Sequence, residues 1–232
     1  MKKNYIKKFI SHSTYSTIYL PISKKGTDEV FAYEALSKFK LKNEEISCSD
    51  FFAKIHSNCK LFFLLEKKNK QHQINNSDIS KKLILHFDAV VFKKKEYRIF
   101  WKDYLSKYRN RIIISITHQE TLNKIDFETE QKIIKWLIKN KFEFMISLFF
   151  DSAYTISFED VKQASYIKIH KQILSKIMHN QSYKKLLNSV ITFANENNTQ
   201  TLIKHIDSKE ELNLVRTLEL NFLQGKILTD NK

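Results

Sequence analysis

The chain has 232 residues, which suits one barrel-sized α/β unit of about 250 residues. Its 42% hydrophobic and 13% aromatic residues can bury a large core, which excludes a disordered chain. No apolar run approaches the roughly 18 residues that span a bilayer, and the basic start lacks the apolar stretch of a signal peptide. We therefore expect a single cytoplasmic domain over residues 1–232, without membrane contact.

The formal net charge of +15 favours an acidic partner. The lysines are spread along the chain in short runs, as at Lys67-Lys68 and Lys184-Lys185, which is typical of a solvated basic surface. Direct nucleic-acid binding would need them clustered on one face, so it stays an alternative to an acidic protein partner. Cys48 and Cys59 are too few for a metal site and are expected to be buried free thiols.

The first half of the chain predicts an opening hairpin and then helices. Two apolar runs, residues 17–21 and 30–36, form strands around a turn at Lys24-Lys25-Gly26, and Pro21 is expected to end the first. The remaining predicted elements are a capped helix from Ser49-Asp50, a polar loop over 67–80 and a long amphipathic helix over 83–108.

The second half alternates between apolar runs and helical periodicity. The predicted strands are residues 111–116, 144–150, 166–169, 201–203 and a short one within 221–228. The predicted helices carry Ile134, Leu137 and Ile138, begin at Tyr183, and follow a capping box formed by Ser208 and Glu211. This alternation predicts an α/β fold with parallel βαβ units, either a barrel or a doubly wound sheet.

Four stretches, in order, resemble the EAL family of phosphodiesterases, which open cyclic di-GMP. They are residues 33–39 with the Glu-Ala-Leu signature, 114–117 after a long helix, 146–148 with 166–170, and 201–212 followed by 220–226. The stretch 201–212 is similar to the family's V-V-A-E-G-V-E-T-E-E-Q-L. The resemblance implies a single EAL-type (β/α) TIM-like barrel, although residues 51–82 match poorly and stay unassigned.

The resemblance also implies a two-metal mechanism, in which two divalent ions clamp the phosphate and activate water. Hard cations need several converging oxygen ligands. Five positions of this chain match the family site, and we interpret them as its relic: Glu34, Ser115, Lys168, Lys204 and Gln224. Ser115 stands where the family has asparagine, and Lys204 stands where it has glutamate.

The paired aspartates of the family should fall near 148–150, where no acid occurs. Asp151 adjoins that stretch, and Glu128 is a weak further candidate for an acidic ligand. A metal cluster of His170 and His205 with Asp151 and Asp207 is an alternative, but each pair is expected on different strand ends, so we interpret these histidines as structural. Glu34 itself is expected to pair with Lys168 or Lys204. We therefore predict no catalytic residues, no metal ligands, no cofactor and no enzymatic activity.

The chain resembles the stand-alone EAL-like proteins of enteric bacteria, which bind the flagellar master activator and keep it from DNA. The resemblance implies a non-enzymatic regulator that binds a transcriptional activator of motility genes. The alternatives are a cyclic di-GMP receptor without hydrolysis, a direct nucleic-acid binder, and a slow hydrolase in which Asp151 and Glu128 reach Glu34. Binding of cyclic di-GMP is expected to be weak or absent.

Overall fold

The computed structural model describes residues 9–27, 29–41, 44–78, 80–117, 127–148 and 157–229. The strands are β1 Thr14–Lys24, β2 Val30–Leu41, β3 Glu44–Ile46, β4 Lys82–Asp88, β5 Ile112–Thr117, β6 Glu143–Leu148, β7 Tyr166–Ile169, β8 Gln200–Ile203 and β9 Phe222–Leu223. The helices are α1 Cys48–Ile55, α2 Cys59–Asn75, α3 Lys95–Leu105, α4 Phe127–Lys139, α5 Phe158–Gln163, α6 Gln172–His179, α7 Ser182–Glu196 and α8 Lys209–Arg216.

The chain divides into two compact units. The first comprises Met1–Leu20 and Glu34–Phe142, and the second comprises Pro21–Tyr33 and Glu143–Lys232. The predicted hairpin is confirmed, because β1 pairs with β2 around a turn in which Gly26 has a φ of 80°. A left-handed φ suits glycine, which lacks a Cβ. Of the helices in the described part, none is long and apolar enough to cross a membrane.

In the first unit, β4 and β5 pair in parallel, from Leu83 opposite Ile112 to Asp88 opposite Thr117. β2 lies beside β4 and pairs with the short antiparallel strand β3. The predicted helix over 83–108 is wrong in its first part, where β4 is followed by a short 3-10 turn before α3. Parallel strands bury both faces and so read as continuous apolar runs, which helical spacing can imitate.

The predicted loop over 67–80 is also wrong, because α2 continues through it to Asn75. Its polar side chains face inward: Asn69 Nδ2 donates to Ser37 Oγ at 2.7 Å, and Gln73 Nε2 donates to the same oxygen at 3.1 Å. Lys70 Nζ lies 3.1 Å from Glu66 Oε2, and both side chains are 3% exposed. Tertiary hydrogen bonds therefore support a helix that the polarity of its sequence conceals.

The two cysteines are free thiols, as predicted, but the predicted burial is wrong, because each is partly exposed. Cys48 Sγ donates to the backbone oxygen of Ser37 at 3.0 Å, on the strand that also binds the polar residues of α2. Burial raises the pKa of this thiol to about 11, so it stays protonated near neutral pH.

In the second unit, β6, β7, β8 and β9 are joined by parallel pairs, and the end of β1 pairs antiparallel with β9. β1 continues to Lys24 and thus past Pro21, where the sequence predicted its end. The capping box of α8 is confirmed, with Ser208 Oγ accepting from the Glu211 N–H. Helices α6, α7 and α8 pack apolar residues onto the strands, including Leu174, Leu187, Ile191 and Val215.

Because Glu66 and Lys70 form a buried ion pair, replacing one of them should reduce the stability of the fold much more than replacing both. Lys70→Met should destabilise the fold by about 3–5 kcal/mol near neutral pH, because it leaves an uncompensated carboxylate in the interior. Desolvation already raises the pKa of Glu66 above 4.5, so the loss should shrink as the pH falls towards 4.5 and Glu66 takes up a proton. Urea unfolding at both pH values measures this.

The matched control is the double variant Glu66→Gln with Lys70→Met, which removes both charges. It should be close to the unsubstituted chain in stability at either pH. A double variant as unstable as Lys70→Met alone would contradict the uncompensated-charge explanation.

Candidate functional site

In the first unit, three residues stand side by side on neighbouring strands, two of them in the carboxyl-terminal half of β4 and β5. Glu34 lies on β2, His86 on β4 and Ser115 on β5, where His86 and Ser115 are register partners. His86 Nε2 lies 2.6 Å from Glu34 Oε1, and the Glu34 side chain is 1% exposed. With Glu34 ionised, the imidazole Nε2–H is the donor in this contact, because a carboxylate only accepts hydrogen bonds.

The neighbour of Glu34 is a residue that the sequence interpretation missed. The resemblance put Ser115 on the strand that follows the signature strand, but β4 lies there and supplies His86. Ser115 is one strand further on, fully buried, and its Oγ has no hydrogen-bond partner among the described residues. The signal that could have identified His86 was the apolar run from Leu83, which reads equally well as a buried strand.

Asp88 is a second carboxylate near this end of β4, and the sequence interpretation also missed it. Its side chain is 6% exposed and lies 3.1 Å from His56 Nε2. Oδ1 also accepts from the Val90 N–H at 2.9 Å, which caps the 3-10 turn that follows. Both oxygens of Asp88 are therefore engaged in holding the loop after β4 and the end of α1.

In the second unit, four polar residues share one face at the ends of β6 to β9. Ser147 is the register partner of Lys168. Lys204 and Gln224 each come directly after the last paired residues of β8 and β9, Ile203 and Leu223. Lys204 is 8% exposed and Gln224 is 4% exposed. These four positions carry two ammonium groups, a hydroxyl and an amide, and no carboxylate.

The backbone beside Gln224 is held closely against the loop after β8. Gln224 N–H donates to Ile203 O at 3.0 Å, and Ile206 N–H donates to Gln224 O at 3.1 Å. A Cβ on Gly225 would lie 2.5 Å from Ile206 N and 2.6 Å from its carbonyl carbon, so no side chain fits there. Two residues before Gln224, the Phe222 ring stacks on the Phe31 ring with ring centroids 4.0 Å apart.

The other acidic candidates are placed as follows. Asp151 lies outside the described residues. Glu128 is on the exposed first turn of α4, where it pairs with Lys132 at 3.3 Å. Asp207 pairs with Lys171 at 3.0 Å, and this hydrogen bond lowers the pKa of the aspartate. Within the described ranges, no three His, Cys, Asp or Glu side chains come together as a metal site would require.

Comparisons with known proteins identify the family. The EAL domain family matches residues 4–230, so the chain belongs to the EAL domain family. A comparison of the sequence with curated proteins finds no match.

Solved structures with the same fold share little sequence with this chain. An EAL domain protein from Listeria monocytogenes EGD-e is 14% identical, with 97% of this chain and 91% of that chain covered and a TM-score of 0.74. Bacillus subtilis YkuI, in complex with cyclic di-GMP and calcium, is 16% identical, with coverage of 98% and 57% and a TM-score of 0.75. The FimX EAL domain from Xanthomonas citri, in complex with cyclic di-GMP, is 9% identical, with coverage of 97% and 90% and a TM-score of 0.70.

The predicted fold class, α/β with an EAL-type (β/α) barrel, is confirmed.

Two substitutions near Glu34 should have different effects on the stability of the fold. His86→Phe should destabilise the fold by about 1–3 kcal/mol, because the buried Glu34 loses a donor. Ser115→Ala, on the register partner, should be neutral or slightly stabilising, because it removes a buried hydroxyl without a partner among the described residues. Urea unfolding near neutral pH measures both. Equal losses in the two variants would show that the contact with Glu34 contributes nothing specific.

Proposed function

We propose that this EAL domain is a non-enzymatic regulator that acts by binding a protein partner. The observation that carries the proposal is the chemistry of the strand ends, taken unit by unit. The first unit offers two carboxylates here, Glu34 and Asp88, and each is already held by a histidine. In the second unit, Ser147, Lys168, Lys204 and Gln224 offer none. Two hard divalent ions need several converging oxygen ligands, and this donor set does not fit them.

Electrostatics supports the same conclusion. Lys204 is buried at the end of β8, where the resemblance puts a glutamate of the family. At an effective dielectric of about 20, a unit charge 4 Å away is worth roughly 4 kcal/mol, so exchanging a carboxylate for an ammonium turns attraction of a cation into repulsion. In the first unit, Glu34 is already bound by His86. The residues that remain therefore favour binding over hydrolysis.

The partner that the proposal assigns is a transcriptional activator of flagellar or motility genes, which the regulator keeps from DNA. The support is the resemblance to stand-alone EAL-like regulators, together with the net charge of +15, which speeds association with an acidic protein surface. Fold-level analogy alone does not establish a partner, so the identity of the activator rests on the experiment below.

A second candidate is a receptor that binds cyclic di-GMP without cleaving it. Lys168 and Lys204, on one face with Gln224, favour it because they could contact phosphate oxygens. The solved structures of YkuI and FimX contain cyclic di-GMP, which makes this nucleotide the natural ligand to test.

The proposal predicts no hydrolysis of cyclic di-GMP with magnesium or manganese. In a gel-shift series at about 150 mM salt, the chain alone should not retard promoter DNA, but it should change an activator–promoter complex. Both results follow if the strand ends hold no metal pair and the basic surface engages protein.

Three outcomes would contradict the proposal. Turnover of cyclic di-GMP that Glu34→Ala abolishes would make the chain an enzyme. Calorimetric binding of the nucleotide that Lys168→Ala abolishes, without any effect on the activator complex, would make it a receptor. Retardation of DNA by the chain alone, independent of sequence, would assign the charge to nucleic acid.

A further inference from the structure

A cleft of about 540 Å³ opens in the first unit at the amino end of β5, and we call it the basic cleft. Its walls are Ile74 and Asn75 at the end of α2, together with residues 106–111. Arg111, the last of these lining residues, directly precedes β5. Ser115 on β5 lies four residues further along the chain. At about 3.3 Å per residue, the cleft lies roughly 13 Å from the strand-end residues of this unit.

Three chain segments are fastened together around the basic cleft. Arg111 donates to Ser77 Oγ at 2.9 Å and to Ile74 O at 3.3 Å, and its backbone oxygen accepts from the Leu83 N–H at 2.8 Å. The Arg109 guanidinium lies 5.5 Å from the centre of the Phe142 ring. Residues 74–78, residues 106–111, Leu83 and Phe142 therefore meet here.

The residues that line the basic cleft concentrate positive charge. They include three cations, Lys107, Arg109 and Arg111, and no acid. Such a concentration attracts a ligand with several negative groups.

The arginines also hold unused hydrogen-bonding capacity. Nε of Arg109 and Nε of Arg111 are shielded from water and have no hydrogen-bond partner among the described residues. A guanidinium binds a carboxylate through two parallel N–H groups, and a shielded donor without an acceptor is costly.

We propose that the basic cleft is the docking site for an acidic peptide segment of the protein partner. This inference rests on the proposed function, since it assigns a surface to the partner. A single-stranded nucleic acid fits less well, because it needs aromatic faces on which bases stack. Tyr108 already contacts the Arg111 guanidinium at 5.9 Å and the Tyr104 ring at 5.8 Å.

The test is fluorescence anisotropy with a labelled glutamate-rich peptide, on the full chain. Lys107→Glu should weaken peptide binding about tenfold, and Arg109→Gln should weaken it severalfold, because both remove charge from the cleft. The matched control is Lys185→Glu on α7 in the second unit, an exposed lysine with the same change of charge, which should leave binding nearly unchanged. Circular dichroism and urea unfolding check that each variant folds.

Equal weakening by Lys107→Glu and Lys185→Glu would overturn the inference, since it would show attraction to net charge alone. An oligothymidylate of the same length that binds more tightly than the peptide and depends more on Lys107 would also overturn it, in favour of nucleic acid. Hydrolysis of cyclic di-GMP tests the proposed function separately. If the chain does not hydrolyse cyclic di-GMP and Lys107→Glu leaves peptide binding unchanged, the docking site is contradicted and the proposed function is not.

Discussion

Parallel strand pairing is the constraint on which the rest of the structure depends. It brings the carboxyl ends of β4 and β5 to one edge in the first unit, and those of β6 to β9 to one edge in the second. Residues distant in sequence thereby become neighbours, as His86 and Ser115 do. The same pairing places the amino ends together, and this builds the basic cleft from segments that the sequence separates.

The chemistry of each edge follows from which side chains occupy it. Where a two-metal phosphodiesterase needs carboxylates, the described residues supply Glu34 and Asp88, each bound to an imidazole, in one unit and two ammonium groups in the other. The opposite edge of the first unit carries Lys107, Arg109 and Arg111 around the basic cleft. The two sets of residues do not overlap, so binding of a partner at one edge does not depend on metal binding at the other.

The sequence predicted the parts of the fold that local patterns determine. The hairpin turn at Gly26, the capping box of Ser208 and Glu211, and the strand over 166–169 all depend on neighbours in sequence. Local patterns did not predict the helix α2, because its inward face is polar. Hydrogen bonds to Ser37, on a strand distant in sequence, support this helix. The site shows the same limit: Glu34 could be found from a motif, but His86 became recognisable only once β4 was seen beside β2.

The proposal of a non-enzymatic domain depends on one claim, that the described strand-end residues do not hold a pair of divalent ions. Isothermal titration of manganese into the chain, with and without cyclic di-GMP, tests it most directly. The account predicts no saturable binding in the micromolar range. Saturable uptake of two ions per chain that Glu34→Ala abolishes would contradict it.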